Sequence, residues 1–177
     1  EMAGRKACGW FTPRLVVAGG ATATSPSNSP SSIITGGTRG LGLLTARWLA
    51  EQGSQALLLT SRSARVMTGQ VADLMSASAG SEWEQLRRED TTIHVFPCDM
   101  AELMAVRRVC VEAEFKFDPS GVFHAAGVIA DALLRNQSQH TLRHVYGPKV
   151  NGAVFLQHNT AACVLQSWVS FSSAAAL

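Results

Sequence analysis

Three glycines, Gly36, Gly40 and Gly42, stand in the order G-x-x-x-G-x-G where the short apolar run after Ser32 gives way to an amphipathic one. With no side chains they let the backbone turn tightly, approach a phosphate closely and seat the next helix on its strand. A helix starting there points free N–H groups and the positive end of its dipole at the turn. The chemistry on offer is anion binding, as for a dinucleotide pyrophosphate, and Thr38, Arg39 and Leu41 complete the expected cradle. A second signal follows the apolar run Ala56 to Thr60, in Ser61-Arg62-Ser63-Ala64-Arg65. The end of the second strand lies beside the adenosine ribose in folds of this kind, and an acid there binds the 2′-hydroxyl of NAD. No acid is present. Ser61 and Arg62, helped by Arg39, instead offer hydrogen bonds and positive charge to a 2′-phosphate, which favours NADPH over NADH. The plainer alternative is that Arg62 and Arg65 only solubilise a loop.

Cys98-Asp99-Met100 follows the run Thr92 to Pro97, at a strand end where ligands bind in open parallel sheets. Asp99 has two candidate jobs. It could cap the next helix with Glu102 in an Asp variant of the capping box, or accept a hydrogen bond from the adenine amino group. Ala125, Ala126 and Gly127 end a fourth strand with side chains small enough for a cofactor to approach. His124 is read as a satisfied strand-end histidine. His140 and His144 have the spacing of a metal pair, but neither the glutamate of a zincin nor a third ligand accompanies them, so no metal is expected. Pro148 fits the first position of a new helix, which puts Lys149 in the first turn, the unfavourable end of the dipole for a cation. Something other than helix stability is expected to hold it there.

These residues need elements to position them. Ile33 onwards reads as strand, turn and a helix from Leu41 to about Gln52 carrying Leu41, Leu44, Trp48 and Leu49, with Gly53 as its stop and Trp48 as packing. Helical segments divided near Gly80 fill Val66 to Asp90, and a helix bearing Leu103, Val106, Cys110 and Ala113 on one face follows Asp99. A helical region from about Ser138 to Gln157 breaks at Gly147-Pro148, and Gln166 to Phe171 is a fifth strand. Strand and helix alternation of this kind predicts an α/β fold, a Rossmann-type doubly wound parallel sheet of about five strands that ends, incomplete, after the fifth.

The chain has 177 residues, one domain's worth. Residues 1–32 read as a linker or the remnant of an upstream region, and 33–177 as the nucleotide-binding domain. Charged residues are 16% of the chain, and the net charge of +2 with no dense basic run argues against nucleic acid and anionic membranes as partners. Cys8, Cys98, Cys110 and Cys163 are scattered without a C-x-x-C pair, as suits free thiols in a reducing, cytoplasmic setting. No apolar run approaches the roughly 20 residues that span a bilayer.

Taken in order, Thr-Gly-Gly-Thr-Arg-Gly-Leu-Gly, Leu-Leu-Leu-Thr-Ser-Arg-Ser, Cys-Asp-Met, His-Ala-Ala-Gly-Val, Pro-Lys-Val-Asn-Gly and Phe-Ser-Ser resemble the ketoreductase domain of type I polyketide synthases. The ketoreductase domains of animal-type fatty acid synthases are similar too, and the resemblance places the chain in the short-chain dehydrogenase/reductase superfamily. The resemblance implies NADPH-dependent reduction of a β-ketoacyl thioester on an acyl carrier protein domain, beside other synthase domains of one polypeptide. It places Lys149 and Ser173 at the catalytic lysine and serine. Ser173 would hydrogen-bond the substrate carbonyl, and Lys149 would lower the pKa of a proton-donating tyrosine. That tyrosine is expected about a dozen residues beyond Ser173, past the last residue, Leu177, so the fragment is expected to be inactive alone. Tyr146, the only tyrosine present, is read as a packing residue. Ile129-Ala130-Asp131 resembles the Leu-Asp-Asp signature of B-type ketoreductases and marks Asp131 for stereocontrol. Two alternatives stay open: a non-catalytic nucleotide-binding or structural domain within a megasynthase, and a free-standing short-chain dehydrogenase.

Overall fold

The computed structural model describes residues 30–65 and 74–172. Cys8, the bulk of the expected linker, the stretch 66–73 and Ser173 lie outside the described residues. Five strands, β1 (Ser31–Thr35), β2 (Ala56–Ser61), β3 (Thr92–Pro97), β4 (Gly121–His124) and β5 (Ser167–Ser170), form one sheet in the order β3-β2-β1-β4-β5. Every neighbouring pair is parallel. The strand order reverses direction between β1 and β4, and a crevice opens at the carboxyl ends of strands at such a switch point.

Both faces of the sheet are covered, which is why its central strands are continuous apolar runs. The period of two sends Ile33, Leu58 and Val122 to one face, against Val106, Val109, Cys110 and Ala113 of α3 (Leu103–Phe117) and Leu156 of α5 (Gly152–Asn159). Ile34, Leu57, Leu59 and Phe123 point to the other, against Leu43, Ala46 and Ala50 of α1 (Gly40–Glu51) and Leu86 of α2 (Leu74–Leu86). Leu103 departs from the expected buried face of α3: it is exposed, and Ala105 and Val109 take the contact instead.

Helix α1 turns differently from its expected packing. The sheet side carries Gly42, Leu43, Ala46 and Ala50, with Leu49 partly buried, whereas Leu41, Leu44 and Trp48 are exposed. The reason lies at Gly42, where a Cβ would run into the Gly36 carbonyl. A helix that approaches the turn this closely presents small residues to it, and its larger ones fall on the flanks. Trp48, at 53% exposure, is therefore not the packing residue expected of it.

The expected division near Gly80 is also absent, because α2 runs unbroken through it. One glycine costs a helix about 1 kcal/mol. Tertiary contacts offset it: Leu86 is fully buried, and Arg47 of α1 reaches Glu82 at 2.5 Å and Gln85 at 2.6 Å.

At Gly147-Pro148 the helix does not break either. Ser138 and Thr141 form a reciprocal capping box that starts α4 (Gln139–Tyr146), and α4 joins α5 through a π-helical turn, Gly147–Asn151. Pro148 has no N–H and its ring crowds the carbonyl four residues back. The wider turn accommodates both: Gly152 N–H reaches the Gly147 carbonyl, five residues back. Pro148 thus lies inside a π turn and is not the first residue of a new helix, and Lys149 stands within a continuous helical run, away from any N-terminus. Tyr146 is 58% exposed and α4 buries no residue, so the packing role expected of Tyr146 is not met.

Candidate functional site: a nucleotide cavity and its lysine edge

The glycine turn is built by what its residues lack. Gly36 has φ +66°, in the left-handed region, and a Cβ there would stand 2.9 Å from the Ala125 carbonyl oxygen. Gly40 also has a positive φ, +54°, but faces open space. The turn is pinned by Gly37 N–H donating to the Thr60 carbonyl at 3.0 Å. Helix α1 then begins with extended backbone at Arg39, no side-chain cap and no acid in its first turn. Its N-terminal N–H groups are thus available to an anion.

Around this turn is a cavity of about 820 Å³ at the β1/β4 switch point. Gly36, Thr38, Arg39, Gly40, Leu41 and Gly42 form one wall, and Ser61 and Arg62 another at the end of β2. Cys98 and Asp99 close it after β3, while Ala125, Ala126 and Gly127 close it after β4. The structure thus brings all thirteen residues expected around a dinucleotide into one cavity. Ser61 Oγ is buried and, among the described residues, has no hydrogen-bond partner. An orphaned hydroxyl of this kind calls for a polar ligand group. The donor set and the cradle that a Cβ would fill therefore fit a dinucleotide.

Asp99 does not cap α3. Glu102 occupies the cap position without a side-chain bond, and Asp99 Oδ1 accepts from Ala101 N–H at 2.9 Å. The capping box fails because α3 starts three residues beyond the position the box requires, so the carboxylate closes its own short turn at the cavity wall. Burial pushes the Cys98 thiol up to about 11, and its Sγ lies 3.7 Å from Met100 Sδ. Cys98 is a neutral wall group, not a nucleophile.

Lys149 belongs to the neighbouring edge. It is not among the residues lining the cavity, but its stem lies over Gly127, where a Cβ would come within 2.8 Å of Lys149 Cε. Its main-chain carbonyl accepts from His124 Nε2 at 3.0 Å, and His124 Nδ1 faces Thr35 Oγ1 at 2.7 Å. Both ring nitrogens are thus occupied, as read from the sequence, and burial lowers the pKa of the imidazole. Asp131 is exposed on the irregular segment after β4 and does not line the cavity. Among the described residues no group of three or more His, Cys, Asp or Glu could hold a metal ion. No helix among them is long and apolar enough to cross a membrane.

Several wall residues carry no local signal. Thr60, Glu82, Arg143 and His144 line the cavity by virtue of tertiary packing alone. Glu82 joins Asp99 as an acid of the lining, and Arg47 pairs with it. The helical spacing of His140 and His144 marks a shared face of α4, and it is His144 that the fold turns to the cavity.

Comparison with known proteins agrees with this geometry. A family model described as KR domain matches residues 31–177. The chain is 38% identical over 146 residues to a phenolphthiocerol/phthiocerol polyketide synthase of Mycobacterium tuberculosis, covering 82% of this chain and 6% of that protein. It is 33% identical over 160 residues to a 6-methylsalicylic acid synthase of Arthrobotrys oligospora, covering 89% of this chain and 9% of the synthase. Among solved structures, an A-type ketoreductase from a modular polyketide synthase superposes with a TM-score of 0.70 at 32% identity, covering 90% of this chain and 32% of that one. This chain therefore spans a small part of the synthases it matches and about a third of the solved ketoreductase. Motifs, parallel sheet and cavity converge on one conclusion: the chain belongs to the ketoreductase (KR) domain family of polyketide synthases.

Proposed function

We propose that this chain is the cofactor-binding part of an NADPH-dependent ketoreductase, which in its synthase reduces a β-ketoacyl thioester carried on an acyl carrier protein domain to the β-hydroxyacyl thioester. The observation that carries this reading is the cavity, which gathers the glycine turn, Ser61 and Arg62 around one space. Gly36 and Gly42 let the backbone approach a pyrophosphate, and the uncapped start of α1 meets its charge. Arg62, with Arg39 and the unpartnered Ser61 hydroxyl, would hold a 2′-phosphate. Ala125, Ala126 and Gly127 leave room for the nicotinamide half.

When bound, the dinucleotide supplies a hydride. Lys149 places a cation beside the proton donor and so stabilises a developing phenolate, as the family's lysine does by resemblance. By the same resemblance Ser173 orients the substrate carbonyl, and Asp131 takes part in stereocontrol. Other domains of the same polypeptide and a cytoplasmic setting follow from the same reading.

The test is consumption of NADPH by this domain within its parent polypeptide, with a short β-ketoacyl thioester as substrate. Turnover that falls at least about a hundredfold in Lys149→Ala, with NADPH binding retained, is the expected result. Undiminished turnover in that variant would overturn the catalytic assignment. NADPH binding without any turnover would favour a nucleotide-binding remnant.

A further inference from the structure

Thr35 and His124 are polar side chains with 0% and 4% exposure, facing each other in register on β1 and β4. Their hydrogen bonds have one consistent direction. A carbonyl can only accept, so His124 Nε2 carries the proton that it donates to the Lys149 carbonyl. The neutral ring then presents Nδ1 as an acceptor, and the Thr35 hydroxyl donates to it. Thr35 Oγ1 in turn accepts from Ala126 N–H at 3.1 Å.

One end of this chain of bonds is a main-chain amide in the cavity wall, and the other is the main chain of Lys149 in the π turn. We propose that the Thr35–His124 pair is a positioning device, fixing through the main chain where the π turn holds the Lys149 ammonium relative to the Ala125–Gly127 turn. The proposal rests on the reading of the cavity as a nicotinamide dinucleotide site.

Two features make this more than the satisfaction of buried polar groups. The π turn departs from the regular hydrogen-bond ladder of the α4–α5 helix, because Pro148 cannot donate and the Lys149 carbonyl shares the Gly152 N–H with Gly147. His124 supplies that carbonyl with a second, side-chain donor from the sheet. The Lys149 stem also rests on Gly127, three residues past His124, so β4 and its turn grip both the backbone and the side chain of one residue. A buried chain of bonds this short polarises and stiffens its members together.

The chain contains three lysines, Lys6, Lys116 and Lys149, which makes the position of Lys149 readable. The lysines are carbon-13 dimethylated, the Lys149 signal is assigned with Lys149→Arg, and spectra are recorded with and without saturating NADPH. In the native chain a narrow Lys149 signal moves on saturation. In His124→Phe, which keeps a flat ring but no donor, the signal broadens and its NADPH response falls by about half or more. His124→Gln, whose amide retains an N–H for the Lys149 carbonyl, restores the response. Thr35→Val, of nearly equal volume, reproduces the loss in weaker form should His124→Phe fail to fold.

Lowered melting temperatures in His124→Phe and Thr35→Val with an unchanged Lys149 response would overturn the proposal and leave the pair structural. If NADPH does not bind the native chain, it is the cavity reading that fails. The positioning claim is then decided without cofactor by exchange of the Gly152 amide, expected to quicken about tenfold in His124→Phe. No change in that exchange would overturn it.

Discussion

Two turns build this site, and they hold their residues by opposite means. The turn after β1 works through absent side chains: Gly36 and Gly42 leave room that a Cβ would fill with a backbone clash. The π turn at Gly147–Asn151 works through added contacts, a histidine on its carbonyl and a glycine under its lysine stem. The residues of the first are written in one short run, Thr35 to Gly42, and the neighbouring strands meet it through the Ala125 and Thr60 carbonyls. The second spans 25 residues between His124 and Lys149 and 89 between Thr35 and His124. The cradle's residues are thus contiguous in sequence, whereas the supports of the lysine are scattered across the sheet.

The contrast can be broken most forcefully at Gly42. Gly42→Val drives a branched side chain into the Gly36 carbonyl and is expected to cost about 3 kcal/mol in denaturant unfolding, with loss of nucleotide binding. Next in size is Arg62→Ala, expected to weaken NADPH binding about tenfold and leave NADH binding unchanged, as read by calorimetry. Equal weakening of both would place Arg62 away from the 2′-phosphate.

The lysine edge should reveal itself through acid. Burial holds His124 below its ordinary 6.5, so the unfolded chain takes up its proton first. Stability is then unaffected above that value and falls as the pH drops from it towards the depressed folded value, with a slope of at most about 1.4 kcal/mol per pH unit. His124→Phe removes this component from pH-dependent melting, although the variant is less stable overall.

Smaller effects are expected at the two glycines with more room. Gly40→Ala meets no neighbouring atom and should cost only the strain of a positive φ, about 1 kcal/mol in unfolding. Gly127→Ala meets the far end of a flexible side chain and should cost less than about 0.5 kcal/mol. It should nonetheless displace the Lys149 methyl signal of the dimethylated chain. A shift in stability with no displacement would mean that Gly127 does not seat the lysine.

The parallel sheet was legible because strands covered on both faces are unbroken apolar runs, as in Ala56–Ser61. The cradle was legible because Gly36, Gly40 and Gly42 fall between a strand and a helix, the context in which that spacing serves a phosphate. What stayed hidden depended on geometry that periodicity does not carry. Leu41, Leu44 and Trp48 have helical spacing, yet the close approach at Gly42 chose the small-residue face of α1. Asp99 and Glu102 match a capping box in spacing, but the helix begins at Leu103 and the carboxylate turns to Ala101. Gly147-Pro148 has the composition of a break, and tertiary packing carried the helix through it by widening one turn.

On the proposed function, the cavity at the β1/β4 switch point takes a nicotinamide dinucleotide bearing a 2′-phosphate. Calorimetric titration of this chain with NADPH and with NADH is the decisive measurement. Saturable one-to-one binding of NADPH is expected, at least about tenfold tighter than NADH, in keeping with a charge-assisted contact at Arg62. Equal affinities would contradict the assignment of Ser61 and Arg62, and no binding of either would contradict the cavity's role altogether.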